Sequence, residues 1–428
     1  MRGLSYALTV LGIGAVLVAG CGDDSDDGGD GGGGAAEQSA SAAISPDAAD
    51  SATGSVTVCL PKDVSGAFHK TIEAFNEESE VEAELLELSE SADEQRNQLI
   101  TRAQAKSPEC DVMGLDVIWT AEFANQGWAM DLSQVVEQRQ SEFIASTLET
   151  ARYDDRYWAL PHNSNAALLY YRTDAVEDAP ATWEDTYQLA ADHDGIVYQG
   201  APYEGLTCDF LELLYSAGGQ VLTDDAGASA IDSDATRQAL DFMVKGVEDG
   251  TAANGVTTFM EEESRRLFES GRVTFMRNWP YAYALGNESK IKGKFAITTL
   301  PGFSGNPGAG VLGGTNLAIS AYSENPGGAL AVLNFFTGEV GQRFIGEGAT
   351  PPATSAAYDV PSVRKAIGLP DEIRDAVGNA KPRPVSPVYP QISQAIYTNV
   401  NEALSGKIST EDAVTAMHSD IEKALATF

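Results

Sequence analysis

Positive charge is scarce in this chain of 428 residues: 27 Lys and Arg stand against 63 Asp and Glu, a formal net charge of -36. Such a balance repels a phosphate backbone and lacks the basic stripe that nucleic acid or an anionic membrane surface needs, so both are poor partners. It does not oppose a neutral ligand. Histidine is scarce as well. His69, His162, His193 and His418 stand apart, with no second His or Cys at ligand spacing, so neither a metal site nor a serine-histidine centre has support. There is no GxxxxGK[ST] phosphate loop and no GxSxG nucleophile elbow. Gly308-Ala309-Gly310-Val311-Leu312-Gly313 spells a dinucleotide fingerprint, but it leaves a Pro/Gly loop and enters a strand-like stretch, the wrong context on both sides. Neither cofactor nor metal is therefore expected. A carboxylate pair such as Asp116 and Glu204 facing across a cleft is the remaining hydrolytic alternative.

Long hydrophobic runs are also missing, except at the start. Arg2 precedes an apolar stretch at residues 7–19, too short to span a bilayer comfortably, which reads as a secretory signal. It ends in Val18-Ala19-Gly20-Cys21, which resembles the bacterial lipobox, in which the Cys is acylated and becomes the mature N-terminus. The protein is then expected outside the cell, anchored to the outer face of the membrane through lipidated Cys21. Residues 22–54 hold seven Asp, one Glu and no Lys or Arg, the composition of a flexible, charge-extended linker. Asp23, Ser25, Asp27 and Gly28 begin a calcium-loop pattern, but its twelfth position is Gly34 rather than Glu.

The rest is long enough for two domains of ordinary size. Strand-like segments at 56–60, 83–88 and 111–115 alternate with helical periodicity at 68–75 and 93–105, the pattern of parallel βαβ units. Further strands are expected at 273–276, 295–300 and 317–320. Helix starts are marked by Thr182-Trp183-Glu184-Asp185 and Ser409-Thr410-Glu411-Asp412. Three cysteines remain after Cys21. In a sheet of order 2-1-3 the strands carrying Cys59 and Cys110 are neighbours, and export permits a bridge between them. Cys208, in an apolar helical run, reads as a buried thiol.

Sugars present hydroxyls around rings whose C–H faces are apolar, so a sugar site needs aromatic platforms together with carboxylate, amide and Arg groups. Several segments combine these. DVMGLDVIWTAEFANQGW begins at Asp111 and puts Asp116 at the C-terminal end of a strand, where parallel sheets meet their ligands; a helix cap is the other role open to it. Trp119 either lines a cleft or packs the following helix, while Trp128, Trp158 and Trp183 read as packing.

Read in order, SADEQRNQL, GLDVIWTAEFANQGW, ALPHNSNAALLYYRTD, YEGLTCDFLELLYSAGG, RNWPYAY, LGGTNLAIS and KPRPVSPVYPQIS resemble the extracellular sugar-binding subunits of bacterial ABC importers, in the trehalose/maltose-binding branch. The resemblance covers essentially residues 55–428. It implies an α/β fold of two lobes, of the type II periplasmic-binding-protein kind, each lobe a mostly parallel sheet flanked by helices and closing on one solute. The lobes are expected at 55–163 plus 313–353 and at 164–312 plus 354–428. Carried over residue by residue, it implies Arg96 and Arg383 as donors to hydroxyls and Asp116 as an acceptor. Trp279 and Tyr281 form the stacking platform, Gly313 and Gly314 the turn where backbone approaches the sugar, and Asn163, Asn165 and Glu204 further ligand contacts. Glu204 alternatively serves as the acidic first turn of a helix. Thr315 stands where the branch often has an aromatic, Asn165 where it has Asp, and Gly66 near a usual Glu, which makes the pocket more neutral. The implied partners are a disaccharide, trehalose before maltose, and a membrane permease with its separate ATPase, served by a monomer. The rival readings are an exported sugar-active enzyme and a binding subunit for another oligosaccharide or a non-sugar solute.

Overall fold

The computed structural model describes residues 42–63, 65–89 and 91–427. Residues 1–41, including Cys21, the signal segment and most of the acidic stretch, lie outside the described residues. The strands in chain order are β1 (Gly54–Leu60), β2 (Val81–Glu87), β3 (Val112–Asp116), β4 (Arg152–Tyr153), β5 (Arg156–Tyr157), β6 (Leu160–Ala166), β7 (Leu168–Arg172), β8 (Ile196–Val197), β9 (Phe275–Asn278), β10 (Phe295–Thr299) and β11 (Leu312–Ile319). They form a sheet of order β2-β1-β3-β11-β6, a sheet of order β10-β7-β9-β8 and the small hairpin β4-β5.

Alternation along each strand of the first sheet sorts its side chains onto two faces. Val56, Val58 and Leu60 of β1 join one apolar cluster with Leu317 and Ile319 of β11, whereas Cys59, Met113, Leu115 and Ala318 face the other. The helix Ala67–Glu78 covers the first face with Phe68, Ile72 and Phe75, spaced to fall on one side of a helix. Cys59 pairs in register with Met113, which brings Cys110, just ahead of β3, close enough for the disulfide Cys59–Cys110. The second sheet is enclosed by helices on a single large core that includes Leu168, Tyr170, Phe210, Phe275 and Ile396.

Three expectations need correcting. The sheets are mixed rather than mostly parallel: β11 runs antiparallel to β3 and β6, and β7 antiparallel to β9 and β10, leaving β1 with β2 and β3, and β8 with β9, as the parallel pairs. A boundary at residue 163 would cut β6, yet Ser164, Asn165 and Ala166 pair with Gly314, Gly313 and Leu312. The β6–β11 ribbon therefore continues from the first sheet until the side chains of Ala166 and Leu312 enter the second core. The linker expectation also fails from residue 42 onward. Ile44 N donates to Asp131 O at 3.1 Å and its side chain is buried, while Ala48, Ala49 and Ala52 pack on the first core. Small apolar residues interleaved with the acids supply surface to bury that a net composition conceals.

Candidate functional site

Arg383 gathers the polar centre of the site. Residues 380–388 run between the helices Pro370–Asn379 and Tyr389–Leu404. Lys381 N donates to Gly310 O and Leu312 N donates to Lys381 O, which docks this stretch against the entry to β11. Pro382 and Pro384 offer no further backbone donors, so the ladder stops there. The Arg383 side chain turns inward, only 7% of the residue remaining exposed. It donates from Nε to Leu312 O at 3.2 Å, from Nη1 to Glu204 Oε1 at 2.8 Å and from Nη2 to Asp116 Oδ1 at 3.2 Å.

Those two carboxylates come from different bodies. Asp116 ends β3 of the first sheet, and its Oδ1 also accepts from Ile118 N at 3.1 Å, so it both caps the short 3-10 turn Val117–Trp119 and binds Arg383. Glu204 opens the helix Glu204–Ser216 of the second body, and it accepts from Tyr389 Oη at 2.5 Å and from Ser393 Oγ as well. Burial pushes the Asp116 carboxyl above its usual range, with Arg383 opposing. Burial alone would disfavour the Arg383 charge, but Asp116, Tyr389 and Glu204 outweigh it and hold the guanidinium protonated.

The β6–β11 ribbon brings four further expected residues together. Asn163 Oδ1 accepts from Thr315 N at 2.7 Å, and Asn165 lies opposite Gly313. Asn165 Oδ1 is buried and accepts from no protein donor. Gly314 has φ +125, and a Cβ there would sit 2.3 Å from Asn163 O, so only glycine permits this approach of the strands. Gly313 carries no such requirement: its added Cβ would meet Asn165 Cβ at an ordinary 3.5 Å. Because Arg383 Nε binds Leu312 O, the ribbon and the carboxylate cluster are continuous.

Trp279 leaves the end of β9 and is held by its backbone, Asn278 Oδ1 accepting from Trp279 N at 2.8 Å and Tyr170 Oη donating to Trp279 O at 2.7 Å. The ring remains partly exposed, with Nε1 3.4 Å from Glu261 Oε1. Pro280 follows and precedes the short helix Tyr281–Gly286, where Tyr281 is 39% exposed and donates to Glu262 Oε1 at 3.0 Å. Among the described residues, no hydrogen bond, ion pair or ring contact joins this aromatic pair to Arg383, whose guanidinium faces Tyr389. Arg96 stands apart too: its fork makes two parallel bonds to Glu122, at 2.8 and 2.6 Å. Trp119, Trp128, Trp158 and Trp183 are all buried in cores. Burial pushes the Cys208 thiol well above its ordinary value, which keeps it protonated and inert.

Sequence reasoning missed a second polar network, under Trp279. Arg277 donates to Glu212 Oε2 at 2.8 Å, to Glu212 Oε1 at 2.5 Å and to Gln199 Oε1 at 2.7 Å. Asp209 Oδ1 lies 2.7 Å from Arg277 Nε, whose single hydrogen points to Glu212, so Asp209 flanks the guanidinium without taking that hydrogen bond. Burial pushes Asp209 well above the carboxylate range and raises Glu212, and the two acids outweigh burial in keeping Arg277 protonated. Tyr389 and Ser393, which orient Glu204, were missed as well. A signal existed for the acids: Asp209 and Glu212, three apart, share one side of a helix that is otherwise almost wholly apolar.

A family profile for bacterial extracellular solute-binding proteins matches residues 62–343. A probable ABC transporter-binding protein of Deinococcus radiodurans is 31% identical over 342 residues, 74% of this chain and 81% of its own length. Among solved structures, maltose-bound MalE3 of T. maritima matches with a TM-score of 0.75 at 34% identity, covering 87% of this chain and 100% of that one. A solute-binding protein of Thermotoga lettingae bound with alpha-D-tagatose matches at 0.73 and 24% identity, over 87% and 100%, a likeness of fold alone.

Proposed function

The chain belongs to the bacterial extracellular solute-binding proteins, and from that membership we propose that it is the capture subunit of an ABC importer. Its ligand in this reading is an α-linked glucose disaccharide, trehalose first and maltose second, which it passes to a membrane permease powered by a separate ATPase. The observation that carries the reading is the Arg383 clamp, in which one buried guanidinium joins Asp116 of the first body to Glu204 of the second. Groups able to hold hydroxyls thus converge from both sides, and a solute that bonds to both favours the closed arrangement. Trp279 and Tyr281 supply the apolar face, and Asn165 Oδ1 an acceptor in want of a donor. The kinship with a maltose-bound protein at 34% identity supports the sugar class. Cys21, in the same reading, carries the lipid that tethers the exported protein.

Calorimetry with trehalose and maltose tests the ligand. Trp279→Ala is expected to weaken binding roughly 10- to 1,000-fold while folding survives, since a C–H face on an indole contributes a few kcal/mol at most. Failure of the unmutated protein to bind either sugar, with clear binding of another solute, would remove the substrate and leave the importer reading. Cys21→Ser should move the protein from the detergent phase to the aqueous phase; unchanged partition rejects the anchor.

A further inference from the structure

Burying an arginine with two carboxylates is an expensive way to fill a core, because apolar residues of similar volume would do as well or better for stability. Arg277 is 2% exposed, Asp209 5% and Glu212 1%, and none of the three belongs to the sugar contacts above. What distinguishes the network is its position. The Arg277 guanidinium carbon lies 4.2 Å from the centre of the Trp279 ring, well inside the range of a cation–π contact. The two residues are separated by one position at the end of β9, so both project to the same side of the chain. Besides this contact the indole packs against the second core, its Nε1 makes one long bond to Glu261, and the short bonds to residue 279 hold its backbone.

We propose that Arg277 is a positioning residue: its guanidinium, held by Glu212, Asp209 and Gln199, backs one face of Trp279 and fixes the ring so that the opposite face is presented to a sugar. Glu212 bonds to two guanidinium nitrogens and Gln199 Oε1 to a third, which sets the orientation of the plane. Gln199 also returns a bond, Nε2 to Arg277 O at 3.2 Å, and Asp209 Oδ2 accepts from Gln199 N at 2.7 Å. A plane anchored along its edges can lie flat on an aromatic ring, which a lysine ammonium cannot do. A fixed cation behind the ring also draws its electrons inward, so the outer face disfavours a cationic ligand over a neutral one. The importance of this for binding rests on the sugar reading, whereas the anchoring of the ring does not.

The test separates the two. Arg277→Lys keeps the positive charge opposite Asp209 and Glu212 and removes the plane; if it fails to fold, Arg277→Met combined with Asp209→Asn and Glu212→Gln gives a neutral core. With 5-fluorotryptophan incorporated, the chain has five fluorine signals to follow, one per tryptophan, and that of Trp279 is assigned by its loss in Trp279→Phe. In the Arg277 variant that signal is expected to shift and broaden while those of Trp119, Trp128 and Trp158 hold; Trp183, which lines the same small cavity as Arg277, is left out of the comparison. An unchanged Trp279 signal overturns the inference without reference to any ligand. In calorimetry with maltose, Arg277→Lys should weaken binding about 3- to 30-fold and add nothing further once Trp279 is Ala, the non-additivity expected of a residue that acts through another. Full affinity in Arg277→Lys beside weak binding in Trp279→Ala overturns the role in binding and leaves the platform standing. Full affinity in Trp279→Ala removes the platform, and the role of Arg277 with it.

Discussion

Replacing Arg383 by Ala removes three bonds at once, to Glu204, to Asp116 and to Leu312 O. Taking one partner from a buried ion pair costs about 3–5 kcal/mol when the remaining charge is sealed from water. Here the carboxylates left behind are not sealed, since the side chains of Asp116 and Glu204 are 32% and 34% exposed, and water recovers part of the loss. A net cost of about 2–3 kcal/mol follows, or a melting temperature lowered by about 2–4 °C, at ~2.1 cal/mol/K of unfolding entropy per residue over a compact unit of residues 40–428. The deficit should depend on pH with a definite sign. Asp116 already titrates above its ordinary range because of burial, and it loses its opposing cation in the variant. A carboxyl whose folded value is raised weakens the fold at pH above that value and is relieved on acidification, so the gap to the parent narrows as pH falls from neutrality toward the acid range. Adding Asp116→Asn and Glu204→Gln should recover much of the melting temperature but not the ligand affinity, read with maltose as the ligand of the proposed function. That affinity is expected to fall about 10- to 150-fold with the loss of a charged donor. Scanning calorimetry at several pH values and titration calorimetry give both numbers. A variant that melts within about 1 °C of the parent and binds maltose equally well would refute the clamp.

Other outcomes follow from residues outside the clamp. His162 lies between Phe68 and Phe336, and burial lowers its pKa to about 4, so stability should fall as pH drops from about 6.5 toward 4, by up to about 3 kcal/mol. Chemical denaturation across that window should show the loss in the parent and a flatter acid limb in His162→Gln; equal slopes would reject the assignment. The Cys59–Cys110 bridge spans 51 positions, and reducing it should cost about 4 kcal/mol in denaturant titrations, with Cys208 reacting only after unfolding. Native protein in which Cys59 and Cys110 alkylate freely would contradict the bridge. On the ribbon, Gly314→Ala should destabilise by about 1–3 kcal/mol or more and Gly313→Ala by less than about 1 kcal/mol, because only the first drives a Cβ into Asn163 O from a left-handed backbone. Equal melting temperatures for the two variants would show that the strands part at no cost.

The elements carrying the first sheet were readable because their causes are local. Alternation at Val56, Val58 and Leu60 marked β1, and the hydroxyls of Thr182 and Ser409 capped helices where their spacing to an acid announced them. The strand order that placed Cys59 beside Cys110 followed from consecutive βαβ units, which offer few alternatives. Boundaries drifted where tertiary pairing rather than composition ended an element: the strand expected at 273–276 runs over Phe275–Asn278, and the one expected at 317–320 begins at Leu312. The sequence by itself thus determined the α/β class, the elements with local signatures and, through several motifs in order, which residues to ask about. Only the tertiary structure decided their partners. Arg383 meets Glu204 across 179 positions and Asp116 across 267, Arg277 finds Glu212 across 65, and Arg96 is taken by Glu122. A charge on the chain carries no record of the opposite charge that will neutralise it, because that choice is made by the low dielectric of a core formed from distant segments, where an unpaired ion cannot remain.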